Sequence, residues 1–318
     1  MKKRPLWIGV ILSLMVIGYV LLKLDWQEVS LTLVSLKWIW VLLAFTVYLV
    51  NYLLRTIRFR ILLTIEDIPF QQMMGVTNLY GMYLYLMPAK FGEITFPVLL
   101  KRKLNIDLST GTGSLIVARV FDFLTIALIL PVVLLIYWSL IPDHFQIAAL
   151  LFCLLVFSFF VFFIWMLRNP RRILPWMEKE LSNRPIIEKF QEFVVGVYQG
   201  ARVIDQRQQY WHLLLVTMGI WICINANFYL ITLALGYSIN FLQIVVVSII
   251  MVPVTLFPIQ GFANLGAHEL GWVTAFTLFD YSYQDALNIA VSSHIIYVMF
   301  VLLLGSLGTV MINIRQDK

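Results

Sequence analysis

Charge is what this sequence has least of. Only 13% of its 318 residues are Asp, Glu, Lys or Arg, whereas 61% are hydrophobic, and the mean hydropathy is +0.88. Soluble domains carry roughly 25% charged residues, so the composition excludes a water-soluble globule. Polar sequence is short as well. The longest such stretch, residues 167–208, is too small to be a catalytic domain. Cysteine is nearly absent: Cys153 and Cys223 both lie in apolar runs and have neither zinc nor redox spacing. "AHELG" has one His beside a Glu and no second His four residues on, so the zinc-protease helix is missing. No small-x-small cleavage site follows the basic and then apolar N-terminus "MKKRPLWIGVILSLMVIGYVLL", which therefore reads as a retained first span rather than a signal peptide. No cofactor and no metal are expected.

What the sequence has instead is long apolar runs, several reaching the roughly 20 residues that cross a bilayer. They cover residues 6–22, 38–54, 113–141, 147–167, 210–235 and 286–312. Two more regions, 70–100 and 241–279, are apolar but interrupted midway by "LMPAKFGEITFPVLLKRK" and "LFPIQGFANLGAHELGWVTAF". The expectation is an all-α polytopic integral membrane bundle with six full spans and two broken, re-entrant helical hairpins. The whole chain, 1–318, is expected to be one membrane domain. It comprises a first span (6–22), a first half (38–141), a linking span (147–167), a basic cytoplasmic loop (168–208) and a second half (209–312).

The net charge of +6 is spread so as to orient the chain in a membrane, not to bind nucleic acid. With the N-terminus in the cytoplasm, all but four of the 23 Lys and Arg residues fall on the cytoplasmic side. Lys23 and Lys37 fall outside, while Lys90 and Arg119 are near or in the membrane. Both termini are then cytoplasmic, in the plasma membrane. Arg55, Arg58 and Arg60 are most simply topology anchors, though they could meet a lipid headgroup.

The two halves can be overlaid. "VLLAFTVYLVNYLLRTIRF" corresponds to "LLVTMGIWICINANFYLITLAL", and 70–88 corresponds to 241–258. An odd number of spans separates equivalent elements, so the halves point in opposite directions, as expected of an inverted repeat with matched broken helices. The bland alternative is two unrelated kinked hairpins. Pro88 and Pro97 each remove a donor, Gly92 weakens the helix, and Pro258, Gly261 and Gly266 act likewise in the second hairpin. Such backbone survives at membrane depth only when buried in protein or lining a wet cavity. Lys90, Glu93, Arg119, Asp122 and Glu269 are charges in or beside apolar segments, with His268 and His294 as titratable neighbours. Such charges usually face a functional interior. Arg119 and Asp122, three apart on one helix face, could equally be a self-satisfying structural pair. Asn51 and Asn225, at corresponding positions, read as helix–helix hydrogen-bonding residues.

"MPAKFGE", "ARVFD" and "FPIQGFANLGAHE", in that order, resemble the motifs of the lysylphosphatidylglycerol synthase transmembrane family, also described as the flippase-like UPF0104 family. The resemblance runs over nearly the whole chain, about residues 7–312. Pro88, Gly92 and Glu93 match the first motif, Arg119 and Asp122 the second, and Pro258, Gly261, Gly266 and Glu269 the third. Ala118 departs from the family pattern, which usually has Glu there. Tyr85 and Phe96 hold places where the family often has Asn and Arg. The resemblance implies lipid translocation by a membrane unit without the soluble synthase domain that some members carry.

The expected function is thus a flippase-like transporter, not an enzyme, moving a phospholipid or a polyprenyl-phosphate-linked lipid through a midplane cavity. Lys90, Glu93, Arg119, Asp122, His268 and Glu269 are the expected substrate-binding residues. Pro88, Gly92, Pro258, Gly261 and Gly266 are the breaks expected to line the site. The alternatives are a membrane-embedded transferase acting on a lipid, or a non-transporting partner of a glycosyltransferase or lipid synthase.

Overall fold

The structure, a computed structural model, describes residue 18 and residues 23–63, 68–88, 91–138, 143–181, 185–256 and 261–313. Among these residues all regular structure is helical. The helices are α1 (Trp26–Val34), α2 (Trp38–Leu63), α3 (Phe70–Leu86), α4 (Phe91–Leu104), α5 (Leu108–Tyr137), α6 (Asp143–Arg168), α7 (Pro170–Leu181), α8 (Pro185–Arg207), α9 (Tyr210–Ala234), α10 (Phe241–Leu256), α11 (Ala267–Thr277) and α12 (Tyr283–Asn313). A 3-10 turn, Phe262–Asn264, precedes α11.

Five stretches are long and apolar enough to cross a membrane: Trp38–Leu63, Leu108–Tyr137, Ala149–Arg168, Tyr210–Ala234 and Tyr283–Ile312. They match five of the six runs read from the sequence. The sixth run, 6–22, lies almost wholly outside the described residues, as do Lys90 and Pro258. The chain is an all-α polytopic membrane protein. α2 runs nine residues further than the apolar run that marks it, because the arginines that seem to end the span continue the helix.

Both interrupted regions are broken at the expected places. α3 stops where the Met87 amide donates to the Tyr83 carbonyl. Pro88 follows, and a residue before proline is disfavoured in helical geometry. Pro97 is not part of this break but sits inside α4. Gly92, in the first turn of α4, also serves packing rather than weakness. A Cβ there would overlap the backbone of Tyr83 and Leu84, so glycine lets α3 and α4 close on each other. The second break carries two successive left-handed residues, Ala263 (φ 53°) and Asn264 (φ 63°), followed by Gly266 at φ 85°.

The 168–208 segment, read from its charge as a loop, folds as α7 and α8. Its basic residues mask an apolar face that packs against other helices.

The chain divides into two compact units. The first comprises Met1–Tyr52, Asn78–Thr95 and Ile222–Val310. Its core gathers Tyr48, Tyr52, Ile231, Trp272, Phe276 and Phe300. Polar side chains tie helices together inside it: Asn227 donates to the Ala44 carbonyl (2.7 Å), and Ser248 donates to Asn225 Oδ1 (2.6 Å). α1, capped by Asp25 accepting from the amides of Gln27 and Glu28, is held by Asn288, whose amide reaches Glu28, Thr32 and the Tyr237 hydroxyl. The second unit comprises Leu53–Thr77, Phe96–Trp221 and Met311–Lys318. There α5 meets α8 at backbone range: a Cβ on Gly113 would lie 2.6 Å from the Val197 carbonyl oxygen. Phe59 packs on Phe96, ring centroids 4.0 Å apart, and the Tyr198 hydroxyl donates to the Met166 carbonyl.

Candidate functional site

Among the described residues, each unit holds a cluster of charged side chains within apolar helices. In the second unit, Asp122 on α5 binds two arginines. Arg119, one turn earlier, donates to Oδ2 at 3.1 Å, and Arg58 on α2 donates to Oδ1 at 2.6 Å. The Arg58 side chain is 2% exposed and that of Asp122 12%, whereas that of Arg119 is 34% exposed. Arg58 and Asp122 thus form a buried pair, and Arg119 completes a triad whose outer member reaches the surface. Burying a carboxylate in apolar helices is costly unless it is paired and hydrogen-bonded, and both of its oxygens are engaged here. The triad carries two positive charges against one negative. Nε of Arg58 is buried and has no hydrogen-bond partner among the described residues. Arg60, the third of the supposed anchors, lies over the Phe70 ring at 5.6 Å in a cation–π contact.

The sequence pattern brought Arg119 and Asp122 together but set Arg58 aside as an anchor. The two ends of the buried pair are 64 residues apart. The only hint of Arg58's role was its lying in register with an apolar helix face, and that hint also fits a helix end.

In the first unit the second break and α12 build a cluster around Glu269, which is 2% exposed. Glu269 occupies the third position of α11, from which Oε2 reaches back to accept from the Gly266 amide at 2.7 Å. Gly266 has no side chain to reciprocate, so only the carboxylate half of a capping box exists. Oε1 contacts Nδ1 of His294 on α12. Nε2 of His294 donates to the Ala263 carbonyl at 2.8 Å, which anchors the left-handed turn. His268 stacks on Trp272 and lies 4.6 Å, centroid to centroid, from the His294 ring. Its Nε2 makes a long contact, 3.4 Å, with Ser293 Oγ. Tyr85 on α3 meets the His294 ring edge-to-face. Glu93 belongs to the same unit and is half-buried in the first turn of α4, where it accepts from the Tyr80 hydroxyl at 3.0 Å. A carboxylate suits that position because the N-terminal end of a helix carries partial positive charge.

Hydrogen-bond logic fixes the protons of the Glu269–His294 contact. A carbonyl only accepts, so His294 Nε2 carries a proton. Nδ1 and Oε1 cannot then face each other bare, and one proton lies between them. Whether drawn as carboxylic acid and imidazole or as carboxylate and imidazolium, the pair is neutral overall.

Of the expected site residues, Arg119 and Asp122 are together in one unit, and Glu93, His268 and Glu269 fall in the other. Gly261 and Gly266 bound the turn before α11: Gly261 donates its amide to the Leu265 carbonyl at 3.2 Å. Pro88 ends the described residues at the first break. Among the described residues, no group of three or more His, Cys, Asp or Glu side chains is arranged to hold a metal ion.

The family model described as the lysylphosphatidylglycerol synthase TM region matches residues 6–305. The chain belongs to that family. No curated protein matches it, and no solved structure does. The lysylphosphatidylglycerol synthase TM region spans both units and both clusters. Membership, together with five helices able to cross a bilayer, makes this a membrane protein of a lipid-handling family.

Proposed function

We propose that this protein is a flippase-like transporter, not an enzyme, that moves a lipid with a phosphate in its headgroup across the cytoplasmic membrane. The cargo is a phospholipid or a polyprenyl-phosphate-linked lipid. The observation that carries the reading is the Arg58–Asp122–Arg119 triad: two guanidiniums share one carboxylate, and the Arg58 Nε–H lacks an acceptor. Guanidinium groups recognise phosphate through charge-assisted hydrogen bonds. Charged side chains within membrane-spanning helices are costly and usually mark a functional interior. In this reading both termini are cytoplasmic, the two broken helix pairs are re-entrant, and the halves are inverted repeats, which is the architecture of alternating access. A glycosyltransferase or lipid synthase would supply or consume the cargo on one side.

The test is movement of a fluorescent phosphatidylglycerol between leaflets of liposomes containing the purified protein. Arg119→Gln should abolish movement while the protein stays folded, because Arg119 is the exposed member of the triad. Full activity in that variant would remove the phosphate-binding claim. Covalently altered lipid in place of movement would identify a membrane transferase instead.

A further inference from the structure

We propose that the Glu269–His294 pair is a proton-exchange site that couples lipid movement to the movement of protons. The inference rests on the transport reading above but on a different cluster of residues.

Both partners are buried, Glu269 at 2% and His294 at 4% exposed, and each has its other polar atom occupied. Oε2 accepts from the Gly266 amide, and Nε2–H donates to the Ala263 carbonyl. The proton between Oε1 and Nδ1 is therefore the one proton that can leave without breaking another bond first. When it passes to water, a carboxylate oxygen and a bare imidazole nitrogen, both acceptors, are left face to face. The pair goes from neutral to a single negative charge inside a nearly dry cluster, which is unfavourable. Relief comes when the His294 ring turns away. That movement withdraws the donor from Ala263, in a turn whose two successive left-handed residues depend on being held. The proton is thus a latch: the loaded pair closes the second break, and the unloaded pair frees it.

The surroundings are equipped for exchange. The indole Nε1 of Trp272, on a residue with no exposed surface, has no hydrogen-bond partner among the described residues, and neither do the Tyr85 hydroxyl or Asn264 Oδ1. Tyr85 touches the His294 ring, Trp272 stacks on His268, and Asn264 follows the residue that His294 holds. Three buried polar atoms without partners therefore sit on residues that adjoin the pair or its neighbours. The other titratable groups packed there are His268 on α11, Tyr85 on α3 and Tyr297 on α12. Ser293 Oγ already donates to the Ala290 carbonyl, so it accepts from His268 Nε2–H. With Nε2 protonated, Nδ1 of His268 carries the ring's lone pair.

The experiment combines two measurements on the full-length protein, each made on wild type and on Glu269→Gln. Glutamine keeps the contact geometry, since its amide can donate to Nδ1 while its carbonyl accepts from Gly266. First, infrared difference spectra across a pH titration should show a proton gained and lost by the buried pair in wild type, as a carboxyl band or as an imidazolium band, that is missing from Glu269→Gln. Absence of both signals in wild type overturns the proposal. Second, liposomes with a pH difference of one unit across the membrane should bias fluorescent phosphatidylglycerol toward one leaflet. The expected bias is up to about tenfold for one proton per lipid, and it should vanish in Glu269→Gln. Wild-type lipid movement that ignores the gradient overturns the coupling and leaves the transport reading standing. No lipid movement with or without the gradient overturns both.

Discussion

Replacing Asp122 with Asn should destabilise the protein more than removing either arginine. The carboxylate is the only anion in its triad, so the substitution leaves the Arg58 guanidinium, 2% exposed and bonded at 2.6 Å in the native state, without its counter-ion. Removing one partner of a buried ion pair costs about 3–5 kcal/mol. Arg58→Met leaves Asp122 still paired with Arg119 at 3.1 Å and exchanges a buried cation for a side chain of similar length. Its cost should be smaller. Arg119→Met removes the partly exposed outer member and leaves the buried Arg58–Asp122 pair intact, so its cost should be the smallest of the three. The double variant Arg58→Met/Asp122→Leu removes both buried charges. It should recover much of the Asp122→Asn loss, since apolar replacement of a whole buried pair is often neutral or stabilising. Thermal unfolding in detergent, followed by tryptophan fluorescence, gives the order. If Asp122→Asn were as stable as Arg119→Met, or the double variant as weak as the worst single one, the triad would not hold the second unit together as argued.

The glycine contact between α5 and α8 is equally testable. Gly113→Ala drives a methyl into the Val197 carbonyl and the Ala201 amide, both backbone, and should cost about 1–3 kcal/mol. Gly219→Ala meets only the Leu54 Cδ1 at 3.2 Å, and its transition should stay near wild type. Gly266→Ala forces a Cβ into left-handed geometry at about 1–2 kcal/mol, and faster proteolytic cleavage near the second break would report it. For orientation, after replacement of Cys153 and Cys223, Lys37→Cys should react with an impermeant thiol reagent in intact cells and Arg171→Cys should not. The reverse pattern would invert the topology.

Much of this was legible in the sequence because bilayers impose length and proline imposes breaks. The interruption after Met87 follows from Pro88, and the one before α11 from Gly261 and Gly266. The Arg119–Asp122 pair follows from helical spacing alone. Contacts between distant segments were not legible. Arg58 reads as the end of a span until it is seen against Asp122. Glu269 and His294 both stood out as titratable, but nothing in a spacing of 25 residues says that one ring nitrogen meets the carboxylate while the other holds a backbone turn. Residues 170–207 misled for a related reason: their charge density outweighed a helical periodicity that becomes decisive only when a glycine-lined surface is there to receive it.

That surface has a consequence for where α5 stands. At 1.5 Å per residue its 30 residues extend about 45 Å, while the hydrocarbon layer is about 30 Å thick. Thirty residues are thus about ten more than a perpendicular span needs, and the helix tilts or carries part of its length beyond the hydrocarbon. The places where α8 glycines come against α5 are Ser109 and Thr110, and Gly113 lies against Val197 and Gly200, all within the first six residues of the helix. α8 packs along one side of the first two turns of α5 through these glycines. A bilayer thicker or thinner than the native one should therefore be felt at this junction, where backbone-range packing leaves that end of α5 little freedom to tilt.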